Sequence, residues 1–284
     1  MKEINFIKKD ILLNILTDYN QLILSGPPGT SKSYLCNSLS LNYDETLHIQ
    51  FHPQYSYQQF VGGYIVDKAD VIYKKGVMLN IIDKAIQNKE KKYLVIIDEI
   101  NRANTSQVFG DLIQCLDRNN SVEILCNNNS VSYYIPKNIH IIATMNSTDR
   151  SIGNIDYALK RRFLEVYCGS NPSLLIDLCP IFSNISLADF LEKMNDNLLR
   201  VLKNKEMCIG HAIFLNDNYF NKDTNKFEWN LQRLEILFNY KILPLIEEYC
   251  SGNTDLIYQI LGDDLPIRLS GKNFENAVME YLKE

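Results

Sequence analysis

The chain has 284 residues, 46% hydrophobic and 22% charged, which excludes wholesale disorder and leaves room for one large domain or a core with a smaller satellite. A formal charge of −5, from 29 Lys and Arg against 34 Asp and Glu, gives no global pull toward nucleic acid. No apolar run reaches the roughly 20 residues needed to span a bilayer, and Lys2, Glu3, Lys8, Lys9 and Asp10 fall where a signal peptide needs its apolar stretch. Neither membrane insertion nor secretion is expected. Seven cysteines lie apart with no C-x-x-C pair, a usage that fits core packing in a reducing cytoplasm rather than a disulfide framework or a zinc site.

Five short, near-continuous apolar runs read as strands: 21–25 (QLILS), 46–50 (TLHIQ), 93–97 (YLVII), 139–143 (IHIIA) and 163–167 (FLEVY). Runs of this length indicate strands covered on both faces, hence a parallel sheet with crossover helices and a three-layer α/β core. Residues 62–76 and 121–135 each pair β-prone segments around a polar centre and are expected as hairpins, the second turning at Asn127, Asn128 and Asn129. Beyond about Asn171 the strand pattern stops. Apolar residues at helical spacing over 187–201 and 231–249 predict a small helical domain, so the expected division is 1–170 and 171–284, near Asn171-Pro172-Ser173.

Directly after the first strand stands Gly26-Pro27-Pro28-Gly29-Thr30-Ser31-Lys32-Ser33, followed by a helical stretch that opens at Tyr34. Small residues let successive backbone N–H groups curl around phosphate oxygens, and a helix N-terminus adds its dipole. Lys32 is expected on the β and γ phosphates and the Ser33 hydroxyl on Mg2+. One position departs from the pattern: Ser31 occupies the place of the glycine before the lysine. The run Tyr93–Ile97 ends in Asp98 and Glu99. Taken alone, two solvated acids at a strand end are ordinary. After a phosphate loop they read as a metal-holding carboxylate, Asp98, and a general base, Glu99.

Asn146, at the tip of the fourth strand, is a neutral amide able to bond both a γ-phosphate and the attacking water, although Asn also caps turns. Arg161 and Arg162 close a short helix before the last strand. They are expected to reach a neighbouring subunit's nucleotide, the alternative being a basic helix C-terminus.

These residues resemble the AAA+ ATPases and, within them, the McrB-like GTPase subunits of modification-dependent restriction systems. The carriers are Phe51–Phe60 (FHPQYSYQQF), Ile97–Asn104 (IDEINRAN), Met145–Ser151 (MNSTDRS), Asp156–Phe163 (DYALKRRF), Ile209-Gly210-His211 and Pro244–Tyr249 (PLIEEY). The resemblance implies an AAA+ P-loop core with a C-terminal helical lid, and a homo-oligomeric, hexameric ring with nucleotide between subunits. It implies GTP or ATP as substrate with Mg2+, and an McrC-like endonuclease partner. It also adds Asp149 to the site, sets Arg161 and Arg162 at finger positions, and puts Arg102 near the subunit interface. Typical members carry an N-terminal DNA-recognition domain. Here about twenty residues precede the first strand, so DNA is expected to be met through a partner or a missing domain. Two other readings compete: a MoxR-like ATPase that remodels a protein client, and a nucleotide-gated scaffold with little turnover, suggested by Ser31. Tyr55 and Tyr57 read as core aromatics, with stacking on a base as the alternative, and His48, His52 and His140 as dispersed side chains that make no metal site.

Overall fold

A computed structural model describes residues 9–68, 70–127, 129–148, 155–266 and 268–283. The described chain divides into two compact units, one of residues 9–26 and 32–168, the other of 27–31 and 169–283. The expected α/β core and helical satellite are both present. Loop residues 27–31 group with the helical unit.

In the first unit, β1 (Gln21–Gly26), β2 (Glu45–Gln50), β5 (Tyr93–Asp98), β8 (Ile139–Asn146) and β9 (Leu164–Tyr167) form one five-stranded sheet in the order β2-β5-β8-β1-β9. Every pairing within it is parallel. Each strand lies within one residue of its predicted start. β8 runs three residues further than predicted, carrying Thr144, Met145 and Asn146 out to the sheet's carboxyl edge. The hairpins β3 (Gly62–Asp67) with β4 (Asp70–Lys75) and β6 (Val122–Cys126) with β7 (Asn129–Tyr133) are antiparallel, as so short a connection between strands requires.

All six residues of β1 are buried, because helices cover both faces of the sheet. On one side Ile23, Val95, Ile97, Ile141 and Ala143 join a cluster with Met78, Ile81 and Ile82 of the helix Val77–Gln87. The opposite set on the strands, Leu22, Leu24, Leu94, Ile96 and Ile142, is likewise fully buried, and helices α1 (Lys9–Tyr19) and α2 (Lys32–Leu39) pack on the sheet through Leu12, Leu16, Leu35 and Leu39. Tyr55, partly buried, stacks on Phe51 with ring centroids 4.9 Å apart and so packs against the core cluster.

The helical unit has its own apolar cluster, built on the helix Leu187–Leu202. Ser186 caps this helix by accepting the Asp189 N–H, and Leu187, Phe190, Leu191, Met194 and Leu198 recur at helical spacing on its buried face. Two expectations change here. The segment 231–249 is not a uniform α-helix: Leu231–Leu237 and Leu243–Tyr249 flank a π turn over Phe238–Ile242. Pro244 explains it, since its ring carries no N–H and crowds the carbonyl four residues back, and a widened turn relieves both. The unit also contains a two-residue antiparallel ladder, Phe220–Asn221 with Lys226–Phe227. So short a pair leaves no periodic trace in the sequence. Among the described residues, no helix is long and apolar enough to cross a membrane.

Candidate nucleotide site

Parallel register brings the chemistry to one edge. Gly26 lies opposite Asn146, and Gln50 opposite Asp98, so the carboxyl ends of β1, β2, β5 and β8 converge where open α/β sheets take ligands. Gly26 closes β1 with φ +139°. A Cβ built there would stand 2.2 Å from the Cys168 carbonyl oxygen, so only glycine fits. Lys32, the first residue of α2, is buried, and its Nζ donates to the Gly26 carbonyl at 2.8 Å.

Asp98 is the hub of a bonded cluster. Ser33 Oγ donates to Asp98 Oδ1 at 3.2 Å and Thr144 Oγ1 donates to the same oxygen at 2.9 Å. On the other side His48 Nε2 meets Oδ2 at 2.7 Å. A carboxylate only accepts, so His48 supplies the proton in that bond. Glu99 has φ 55° and ψ 46°, a left-handed conformation that turns the chain sharply off the strand. Its N–H donates to Thr144 Oγ1 at 3.1 Å, its Oε1 accepts from Asn146 Nδ2 at 2.6 Å, and its Oε2 accepts from Arg102 Nε at 3.3 Å. Asn101 donates to the Asn146 carbonyl at 3.1 Å. Asp98, Glu99 and Asn146, chosen from sequence, therefore belong to one network. Thr144, His48 and Asn101 were missed. Thr144 lies 46 residues and His48 50 residues from Asp98 in the chain, so only strand register brings them to it.

The two arginines part company. Arg161 is exposed. Arg162 is nearly buried, and its guanidinium bonds the Asp117 carboxylate at 2.8–2.9 Å and the Ala158 carbonyl at 2.8 Å. Arg162 is thus committed within its own chain. Tyr34 projects from α2 into solvent with 71% of its surface exposed. Asp149 lies outside the described residues.

Within the helical unit, Pro27, Pro28, Gly29, Thr30 and Ser31 form the rest of the phosphate loop. Thr30 Oγ1 donates to the Pro27 carbonyl at 2.9 Å, closing a tight turn. Ser31 adopts φ 63°. His211 is fully buried, accepts the Asn171 N–H on Nδ1 at 3.1 Å, and meets Ser31 Oγ through Nε2 at 2.8 Å. Burial lowers the His211 pKa to about 4, so the ring is neutral at physiological pH. The seven cysteines are free and six are buried; burial raises the thiol pKa of Cys168 and Cys208 to about 11, which makes them inert packing residues.

Sequence comparisons agree with this geometry. Residues 21–163 match the AAA domain family, dynein-related subfamily, and residues 186–258 match the McrB alpha-helical lid domain. The chain is 32% identical over 274 residues to the Type IV methyl-directed restriction enzyme EcoKMcrB subunit of Escherichia coli (strain K12), covering 84% of this chain and 56% of that one. It is 30% identical over 190 residues to the Type II restriction enzyme BsuMI component YdiS of Bacillus subtilis (strain 168), covering 50% and 54%. It spans a little over half the length of these relatives. The AAA domain match over residues 21–163, half of the chain, makes this chain a member of the AAA+ family. The lid match and the two relatives define it further as an McrB-like AAA+ subunit.

Proposed function

We propose that this chain is the nucleoside-triphosphatase subunit of a restriction system, prefers GTP over ATP, assembles as a hexameric ring in the cytoplasm, and drives a separate McrC-like endonuclease. The observation that carries the hydrolytic part is the bonded pair of acids at the end of β5. Glu99 has both oxygens engaged by donors, Asn146 and Arg102, which hold it as an oriented acceptor for a proton of the attacking water. Exchange of the Asn146 amide from Glu99 to a γ-phosphate oxygen would couple the base to substrate arrival.

Ser33 and Asp98 offer a hydroxyl and a carboxylate oxygen 3.2 Å apart, the hard-oxygen donor set suited to Mg2+. Bound there, Mg2+ would neutralise charge on the β and γ phosphates. Lys32 Nζ, which donates to the Gly26 carbonyl, would turn to phosphate oxygens when a nucleotide binds. Arg161, exposed and uncommitted to Asp117, is the finger offered to a neighbouring subunit; Arg162 holds its turn in place. Coupling to an endonuclease and contact with DNA through that partner rest on the likeness to restriction-enzyme components.

The test is Glu99→Gln in the purified protein, assayed with GTP and ATP. Removing the base is expected to cut turnover by roughly 10²–10⁴ while nucleotide affinity stays within about threefold. Turnover that survives the substitution would remove Glu99 from the reaction. Hydrolysis of ATP alone would replace the GTP reading with that of an ATPase acting on a protein client.

A further inference from the structure

Ser31 sits where phosphate loops carry glycine, and its φ of 63° is one that a residue with a Cβ adopts only under constraint. A glycine would occupy the position without that penalty, so the side chain calls for an explanation.

The constraint is built from the helical unit. Asn195 clamps Ile209 on both sides, accepting its N–H on Oδ1 at 2.7 Å and donating Nδ2 to its carbonyl at 3.0 Å. The next residue, Gly210, presses on the loop so closely that a Cβ there would lie 2.2 Å from the Gly29 backbone. Two residues on, the Ala212 N–H donates to the Gly29 carbonyl at 2.9 Å. His211 is therefore held in fixed relation to residues 28–31.

Its ring has one available tautomer in the neutral form. Nδ1 accepts the Asn171 N–H, so the proton resides on Nε2, and Nε2 donates to Ser31 Oγ. The Ser31 oxygen is consequently an acceptor toward His211. Its own hydrogen is turned away from the ring and has no acceptor among the described residues.

We propose that Ser31 is an additional phosphate-binding donor, its hydroxyl hydrogen aimed by His211 at an anionic oxygen of a bound nucleoside di- or triphosphate. Ser31 touches the ligand; His211 is a positioning residue that acts through it. The lowered His211 pKa keeps the ring neutral and the donor in place through the physiological range. The inference rests on the nucleotide reading above and deepens it: a substitution that looks like damage to the loop becomes a contact tied to the lid's Ile209-Gly210-His211 turn.

A double-mutant cycle tests it. Calorimetric titration with GMPPNP and AMPPNP in the presence of Mg2+ would compare the parent chain with Ser31→Ala, Ser31→Gly, His211→Ala and Ser31→Ala/His211→Ala. Ser31→Ala is expected to weaken binding about tenfold, the loss of one hydrogen bond to a charged group. Ser31→Gly should lose as much although it relaxes the backbone, and it keeps the test intact if another variant fails to fold. His211→Ala should cost about fivefold when Ser31 is present and less than twofold in the Ser31→Ala background. A merely structural His211 would weaken binding equally in both backgrounds, and that result overturns the proposal. So does Ser31→Ala or Ser31→Gly binding within twofold of the parent. A parent chain that binds neither analogue would instead overturn the nucleotide reading itself, and this contact with it.

Discussion

Two polar regions, one in each unit, are bonded in contrasting ways. At the carboxyl edge of the sheet, Ser33, His48, Asp98, Glu99, Thr144 and Asn146 bond chiefly to one another, side chain to side chain, in a partly exposed cluster. In the helical unit the buried polar side chains stand apart and are tied mainly to backbone: Asn195 to Ile209, Asn239 to the Leu269 carbonyl, and His211 through Nδ1 to the Asn171 N–H, its Nε2 being left to meet Ser31 Oγ. Side chains bonded to each other can exchange partners when a ligand arrives. Side chains spent on the backbone cannot do so without loosening the fold. The first region is built to lose interactions in use, the second to keep them.

Three experiments sharpen that contrast. The largest effect is expected from Lys32→Ala, which should lower triphosphate affinity by on the order of 100-fold, since two charged contacts go with it. Titration of the variant with GMPPNP would measure this; an affinity within a few-fold of the parent would contradict the assignment of the loop. Next comes Asn195→Ala, which strands both polar groups of Ile209 in the interior. It should destabilise the helical unit by roughly 2–4 kcal/mol, read as a lowered melting temperature with the sheet unit's spectroscopic signature retained. A variant that melts with the parent would show that the Asn195 clamp is dispensable.

Smallest at ordinary pH, but measurable on acidification, is the titration of His211. Its folded pKa of about 4 lies below the unfolded value of about 6.5, so the unfolded chain takes up the proton first. The stability this contributes is complete above pH 6.5, falls as the pH drops through the window to 4, and amounts at the limit to roughly 3 kcal/mol. His140 is lowered to about 4 as well, by burial and by Arg118 and Lys92, and adds a slope in the same window. His211→Gln should therefore flatten only part of the melting temperature's dependence on pH between 6.5 and 4. No change in that profile would mean that His211 is not held neutral by the fold.

The same contrast explains what could be read from sequence. The five sheet strands announce themselves because burial on both faces demands unbroken apolar runs, and the two hairpins because β-prone segments bracket polar turns. Asp98 and Glu99 are legible because they follow directly on such a run, and Lys32 because it ends a Gly- and Pro-rich loop that does. Thr144 and His48 are not, since their meaning depends on register: which residue of β8 or β2 falls beside Asp98 is set by pairing between segments about 50 residues apart. Arg161 and Arg162 are equivalent as letters and differ only because Asp117 lies where it can take one guanidinium and not the other. The ladder at Phe220–Phe227 is too short to leave a pattern, and the π turn follows from Pro244 only once its helix is known to run through it.

Gly26 carries a consequence for anyone who would evolve this protein toward a different nucleotide. The carbonyl of Cys168 occupies the space where every other amino acid would put its first side-chain carbon. Combinatorial libraries that randomise the whole loop will return glycine at that position from every functional clone, and diversity placed there is wasted.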